Sequence, residues 1–558
     1  MLRRGPLKAA ARFLPLRSER TVTPSERRPS VEAARVKELI YQRHFLPASR
    51  TYAERTAVID GDYRANFAEH SDRVLRLCGA LRNQLGIQSG DRFAVMAATS
   101  HEYLELYHAA FLGGGIINPL NLRLAGKELD YIVRDSGTEV VFVDNHFAET
   151  FASAISGGES ESPLRHTVLI GEGATAGEVL YQELLATAAP ELPVEPEEAD
   201  PVVLMYTGGT TGLPKGVLVS QRAEILNCYH CQMALNRFNS EDVNLLQTPI
   251  FHAASIVGLL SGPFSGGALV LIPRFEPAAV IDLIEKHHVT ITTMVPTMIM
   301  MVLNDPSFAP ERLQSLRLLT YGASPMPAAL LGKLLELFPN LNIAQGYGMT
   351  EASSVLTVLK PEDHFQDNPR LLSVGRAVTG VELCIQDPDG QLLPPGEKGE
   401  VCAKGGNYMT EYWNKPQTTE ESFRDGWYHT GDAGYLDEEG YLFLVDRVKD
   451  MIVTGGENVY SVEVENAIST HPAVAQVAVI GVPSEQWGEA VHAIVILDKD
   501  ATASEEDITR HARQSIAGYK VPKSVEFRTE ALPLSGALKV LKRELREPYW
   551  KGRDQRIG

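Results

Sequence analysis

The sequence predicts an α/β protein. It predicts a large N-terminal domain of α/β layers with parallel sheets plus a β-rich subdomain, and then a small α+β C-terminal domain. Three observations predict it. From about Arg35, short apolar strands alternate with segments of helical periodicity, the pattern of helices packed on parallel sheets. Between about 371 and 445, GVELCIQDPDGQLLPPGEKGEVCAKG reads instead as hairpin strands joined by DPDG and PPGEKG turns. After DRVKD (446 to 450), helix and strand patterns resume over a stretch of ordinary domain size. A chain of 558 residues is too long for one core, so several domains are expected. The divisions follow: 1–34 a basic, disordered tail, 35–446 the large domain, and 447–558 the small one.

The elements run in order. SDRVLRLCGALRNQLG has apolar residues at helical spacing, and DRFAVMAATS is a short strand leading to a helix cap. HEYLELYHAAFLGGG is helical and stops at glycines; KELDYIVRDSG then EVVFVD is a helix-to-strand unit. VVLMY is an apolar strand before a Gly/Thr-rich loop, and a helix starts from about Ser220. GALVLIP, VTITTMVP, LRLLTYG and LNIAQGYG are strands, most of them preceded by helical spacing. In the small domain SVEVENAISTHP is a helix, and AVAQVAVIGVP and GEAVHAIVILD are strands. SEEDITRHARQSIAG is a helix capped by Ser504, with Asp507 completing a capping box and Gly518 at its end.

Composition narrows the function classes. The net charge of −19 disfavours sequence-independent nucleic-acid binding, so a polyanionic substrate has to be met by local positive groups. Five cysteines, Cys78, Cys228, Cys231, Cys384 and Cys402, suit reduced thiols. Cys228 and Cys231 form a CxxC around His230 with no second ligand pair nearby, which reads as a helix face, not a zinc or redox motif. Residues 253–272 carry no charge and reach membrane-spanning length, but their glycines and a proline read as a helix end, a turn and a strand. The first twenty residues are Arg-rich and resemble a transit peptide in charge, yet Pro6 and Pro15 break an amphipathic helix. A disordered basic tail on a cytoplasmic bacterial protein is the preferred reading, with the mitochondrial matrix as the alternative in a eukaryote. The C-terminal DQRIG lacks the SKL address.

Five stretches carry chemistry. TGGTTGLPKGV (207 to 217) is not a P-loop, since Pro214 precedes Lys215 and Gly216 follows it, where a Walker A loop has Gly and then Ser or Thr. Its composition still suits phosphate: glycines bring N–H groups close to an anion, hydroxyls donate, and lysine adds charge. YGMTE (347 to 351) supplies a phenol, a hydroxyl and a carboxylate within one turn. WYHTGD (427 to 432) ends in an acid at a turn. DRVKDMIVTGGENVYSVEVE (446 to 465) couples an Arg and an Asp to a double-Gly turn, and LPLSGALKVLKRELRE (532 to 547) puts Lys539 on a small-residue loop before a basic helix. Each alone reads equally well as a turn, a cap or a solvated helix; five in this order do not.

In order and spacing these stretches resemble the adenylate-forming superfamily of acyl- and aryl-CoA synthetases, stand-alone adenylation domains and beetle luciferases. The likeness covers the chain from about residue 35, and PIFHAAS, NPLNLRL and TYGASPMP look most like medium- to long-chain fatty-acyl-CoA ligases. The resemblance implies two steps: a carboxylate attacks the α-phosphate of MgATP, giving acyl-AMP and pyrophosphate; the small domain then rotates and the thiol of coenzyme A displaces AMP. It implies that Thr207, Gly208, Gly209, Thr210, Thr211, Gly212 and Lys215 cradle the β- and γ-phosphates, and that Glu351 holds Mg2+ while Thr350 binds phosphate. Gly322, Ala323 and Ser324 would pass close to adenine, with Tyr347, in its Gly346–Tyr347–Gly348–Met349 setting, stacked on it. Asp432, aided by Arg447, would accept from the ribose hydroxyls, and His252 would border the acyl channel. Lys539 would bridge the acyl carboxylate and the α-phosphate, Lys449 would be the hinge, and Gly455, Gly456 and Glu457 would flank coenzyme A.

One departure stands out: relatives usually have Gly before the catalytic lysine, where Leu538 sits here, which makes Lys542 the fallback. The expected enzyme is an AMP-forming fatty acid–CoA ligase. Its partners are a small carboxylic acid, ATP and CoA, with no nucleic acid, no transmembrane segment, peripheral membrane contact at most, and a monomeric or homodimeric state. The alternatives are an aryl- or hydroxycinnamate-CoA ligase, a carrier-protein acylating enzyme, and a non-catalytic acyl-adenylate- or fatty-acid-binding protein.

Overall fold

The structure, a computed structural model, describes residues 37–156, 162–171, 179–207, 214–236, 238–324, 326–447, 451–454, 457–484, 486–534 and 540–551. Contacts divide the chain into a leading unit, 1–38, and one unit from Leu39 to Gly558. Among its described residues the second unit forms four sheets.

The predicted alternation of helix and strand builds two large sheets. The first has nine strands, and its centre is parallel: Asn342–Tyr347, Leu318–Gly322, Ile291–Met294, Val243–Leu246, Ala268–Leu271 and Thr56–Asp60 lie side by side in that order. The second has eight strands around a parallel centre of Ile116–Pro119, Arg92–Met96, Val140–Asp144 and His166–Ile170. A strand covered on both faces loses the in–out alternation of a surface strand, which is why Val140–Asp144 reads VVFVD and is buried through Val143. The helices are set by local chemistry. Asn66 caps Phe67–Asn83 in a reciprocal pair with Glu69, and Ser100 caps His101–Ala109. The uncharged stretch 253–272 folds as helix Ala253–Ser265, a left-handed turn at Gly266, and strand Ala268–Leu271. Among the described residues no helix is long and apolar enough to cross a membrane. Cys228 and Cys231 are buried on helix Gln221–Leu235.

The hairpin text after 371 gives the third sheet, in which Glu382–Gln386 pairs antiparallel with Gly399–Lys404, and Gly399–Lys404 with Trp427–Leu436. The fourth sheet belongs to the small domain. Its long antiparallel pair, Val474–Ser484 and Gly488–Leu497, is joined by Ser524–Phe527 running parallel. Val464, Ile468, Val479, Val491 and Ile508 form its core. The Ser504–Asp507 capping box is present. The helix it starts ends at Ala512, not at Gly518: turn residues follow over 513–515, and Gly518 opens a further turn, 518–520, instead of ending the helix.

Candidate active site

The Gly/Thr-rich stretch is the tip of a β-hairpin. Strands Pro201–Thr207 and Lys215–Ser220 pair antiparallel with Thr207 opposite Lys215. Helix Gln221–Leu235 begins where expected, but KGVLVS before it is a strand that the sequence reading left unassigned. The stretch therefore leads into a strand and does not open onto a helix N-terminus as a P-loop does, and among the described residues Lys215 brings the positive charge. Gly208, Gly209, Thr210, Thr211 and Gly212 lie outside the described residues.

Lys215 is placed by a residue the sequence reading missed. Its Nζ lies 5.2 Å from the centroid of the Tyr412 ring, within cation–π range. The Tyr412 hydroxyl donates to Glu351 Oε1 at 2.8 Å. Burial, and then the Glu351 charge, push the Tyr412 phenol well up, so it stays protonated and keeps donating. The short strand Glu411–Tyr412 pairs with Lys215–Ser220, so backbone register sets this lysine–tyrosine–glutamate line. The signal for Tyr412 was the aromatic pair in EYWNKP, whose partner strand lies about two hundred residues earlier, beyond the reach of local patterning.

The YGMTE turn is rigid by construction. Strands Leu318–Gly322 and Asn342–Tyr347 end in register at Gly322 and Gly346, and a Cβ on Gly322 would fall 2.2 Å from the Gly346 carbonyl oxygen. Ala323 then takes φ +66°, a left-handed conformation that a non-glycine residue adopts at some cost. At Gly348 a Cβ would sit 1.9 Å from the Ser354 carbonyl oxygen, so only glycine lets the chain fold back there. Thr350 and Glu351 occupy a single 3-10 turn, Thr350–Ala352. The amides of two buried asparagines hold that turn: Asn407 Nδ2 donates to the carbonyls of Ala352 (3.0 Å) and Val355 (3.1 Å), and Asn227 Nδ2 donates to the same pair at 3.2 and 3.3 Å. Neither asparagine was singled out from sequence, since an Asn inside a helix or beside glycines carries no local signature of this contact.

Asp432 is buried, and Tyr347 donates to its Oδ2 at 2.6 Å. The Asp432 N–H donates to Thr430 Oγ1 at 3.1 Å, and Asp432 faces Arg447 across the ladder of Trp427–Leu436 and Leu442–Arg447. The structure thus brings Tyr347, Asp432 and the backbone of Arg447 together. Ser324 follows Ala323 at the end of the neighbouring strand, and Met349 leads into the 3-10 turn. His252 stands at the N-cap of helix Ala253–Ser265, its ring 4.9 Å from that of Phe251. The first turns of this helix help line a cavity of about 10 Å³, bordered by Leu245, Leu246, Gln247, Thr248, Ala254, Ser255, Gly258 and Thr293. That volume admits about one water.

In the small domain Lys449, Gly455, Gly456 and Lys539 lie outside the described residues, and Glu457 opens strand Glu457–Val459. The ends of the Lys539 loop are closed by a bridge between Leu534 and Val540, and Arg123 Nη1 donates to the Leu534 carbonyl at 3.5 Å, so the base of this loop lies against the large domain. Lys542, the fallback, is committed elsewhere. Its Nζ lies 2.6 Å from Glu465 Oε1 and 2.5 Å from Ser461 Oγ, tying helix Lys542–Trp550 to helix Ser461–Ser469. It is partly buried.

A cation and a carboxylate beside a phosphate-suited hairpin, and a buried aspartate beside a glycine-lined strand end, define the class: a nucleotide-using, adenylate-forming enzyme. The chain belongs to the AMP-binding enzyme family, matching it over residues 45–413 and the AMP-binding enzyme C-terminal domain over 463–539. It is 37% identical over 503 residues to a feruloyl-CoA synthase of an Amycolatopsis species, covering 90% of this chain and 97% of that one. It is 35% identical over 503 residues to a long-chain-fatty-acid–CoA ligase of Mycobacterium tuberculosis, covering 90% and 96%. Among solved structures, the o-succinylbenzoate coenzyme A synthetase of Bacillus subtilis in complex with ATP and magnesium superposes with a TM-score of 0.78 at 31% identity, covering 90% of this chain and 98% of that one. The protein is an ATP-dependent, AMP-forming acid–thiol ligase that makes an acyl- or aryl-CoA through an adenylate.

Proposed function

We propose that the acid is a medium- to long-chain fatty acid. The observation that carries this reading is the position of His252 at the head of an apolar helix, Ala253–Ser265, with a small cavity along its first turns. The likeness of the chain to a long-chain-fatty-acid–CoA ligase supports it. A second reading, an aryl or hydroxycinnamate acid, is favoured by the polar groups in that lining, Gln247, Thr248, Ser255 and Thr293, and by the likeness to a feruloyl-CoA synthase. AMP formation measured with ATP and CoA over straight-chain acids of increasing length and over benzoic and cinnamic acids separates the two. Turnover that rises with chain length supports the fatty reading; saturation by cinnamates alone overturns it.

The mechanism assigns each group one task. Thr207, Lys215 and the hairpin tip hold the outer phosphates, neutralising charge that would repel an incoming carboxylate. Glu351, in a turn fixed by Asn227 and Asn407, suits Mg2+ as a hard oxygen ligand, and Thr350 supports the phosphate beside it. Bound there, Mg2+ would supply charge neutralisation. Asp432 and Arg447 receive the ribose, and the adenine lies along Gly322–Ala323–Ser324 against Tyr347. Lys539 reaches the α-phosphate in the first step. The small domain, 447–558, then turns about Lys449 away from the large domain, 35–446, bringing Gly455, Gly456 and Glu457 to the pantetheine arm. We assign the enzyme to the cytoplasm, as a monomer or homodimer.

A further inference from the structure

On the sheet behind Asp432, three groups of different hardness converge on one point. Glu400 and Cys402 alternate on strand Gly399–Lys404 and so share a face, and His429 lies across from Cys402 on Trp427–Leu436. One ligating atom from each lies within 4.8 Å of the others. His429 Nδ1 is 2.9 Å from Glu400 Oε2 and 3.4 Å from Cys402 Sγ. A cationic group already sits there: Arg424 Nη2 is 2.6 Å from the same Nδ1 and 3.3 Å from Glu400 Oε2.

This arrangement cannot satisfy every partner. If Nδ1 carries a proton it donates to Glu400 but faces a guanidinium N–H. If it does not, it accepts from Arg424 but turns its lone pair toward the Glu400 carboxylate. A single cation in place of the guanidinium would satisfy Nδ1, the carboxylate and the sulfur at once. Ligand atoms around a tetrahedral zinc ion lie about 3.4 Å apart, close to the spacing already present. Arg424 is half exposed and can leave for solvent, whereas His429 is 8% exposed and stays. The other such cluster, Asp60, His101 and Glu102, lacks this conflict, since each ring nitrogen of His101 faces its own carboxylate.

We propose that Glu400, Cys402 and His429 form a site for a soft divalent cation, of which Zn2+ is the representative, that displaces the Arg424 guanidinium. Imidazole and thiolate select such an ion over the Mg2+ that serves the phosphates. On binding, the Cys402 thiol releases its proton to solvent and coordinates as thiolate. The site adjoins the nucleotide turn, because the other oxygen of Glu400 accepts the Gly431 N–H at 3.1 Å, one residue before Asp432. A bound ion therefore stiffens the turn that carries Asp432 and shifts the affinity for ATP. That consequence rests on the ribose role of Asp432; the site itself does not.

The test uses the reduced full-length protein without nucleotide, titrated with Co2+. A near-ultraviolet thiolate-to-cobalt charge-transfer band is expected, bleached by added Zn2+. It should vanish in Cys402→Ala, and in Arg424→Ala the affinity should rise about tenfold or more, since the competing cation is gone. Circular dichroism confirms that each variant is folded. No band in either the parent or Arg424→Ala, or a band that persists in Cys402→Ala, overturns the site. Buffered Zn2+ should change the KM for ATP of the parent at least threefold and leave that of Cys402→Ala unmoved. A band without that change would overturn the coupling to the nucleotide alone.

Discussion

Glu351 and Tyr412 are the residues whose roles are most open to single substitutions. Glu351→Gln keeps the shape of the side chain and removes its charge. Adenylation is expected to fall about a hundredfold or more, as for other preorganised electrostatic groups. Near-normal turnover at moderate Mg2+ would make the glutamate a structural residue. Tyr412→Phe removes only the 2.8 Å hydrogen bond to Glu351 and keeps the ring beneath Lys215. A bond to a charged group contributes about 1.5–3 kcal/mol, so adenylation should fall about tenfold or more, with a higher Mg2+ requirement. An unchanged Mg2+ dependence would remove Tyr412 from the site. At this scale the sequence was legible where chemistry is local: the phenol, hydroxyl and carboxylate of YGMTE, the acid of WYHTGD, and the Lys215 that excludes a P-loop. It was silent where a side chain acts across the fold. Tyr412, Asn227 and Asn407 reach the Glu351 turn only because distant segments pack against it.

Elements answer to pH and packing. Helices Phe67–Asn83 and His101–Ala109 meet at a buried histidine pair: His108 Nε2–H donates to the Leu259 carbonyl at 3.0 Å, leaving its Nδ1 to accept from His70 Nε2–H at 2.8 Å. Burial pushes His108 down to about 4 and His70 well below its usual value. Both are neutral in the fold, while the unfolded chain takes up protons near pH 6.5. Stability from this pair is therefore whole above about pH 6.5 and falls as pH drops toward 4, by about 3 kcal/mol for His108. Urea unfolding at neutral and mildly acidic pH should show His108→Gln losing less stability on acidification than the parent; parallel losses would contradict this. Most elements could be read from periodicity and capping, as with Ser504 and Asp507. The exceptions have physical causes. KGVLVS is short and follows a loop, so only its pairing with Pro201–Thr207 identifies it as a strand. The helix after Ser504 ends at Ala512, with Arg513 as its C-cap, so a glycine five residues beyond the cap did not mark the end.

For the whole molecule the account rests on a large domain that adenylates and a small domain that serves each step in turn. Proline at the proposed hinge fixes φ near −65°. Lys449→Pro should hold one conformation, leaving adenylation within about tenfold of the parent while thioester formation collapses by far more. Parallel losses at an unchanged melting temperature would sink the hinge. The sequence suggests this division by a change of pattern after DRVKD, whereas it does not suggest the identity of the acid, because scattered side chains from several elements line an acyl pocket.

The central claim is that one site makes an adenylate and then a thioester, with Lys539 needed only for the first. The most direct measurement takes both half-reactions on Lys539→Ala and the parent: acid-dependent exchange of labelled pyrophosphate into ATP without CoA, and acyl-CoA formation from supplied acyl-AMP. The account predicts that the variant loses exchange almost entirely and converts supplied acyl-AMP at nearly the parental rate. Equal damage to both steps, or no acid-dependent exchange in the parent with any fatty or aromatic acid, would contradict it.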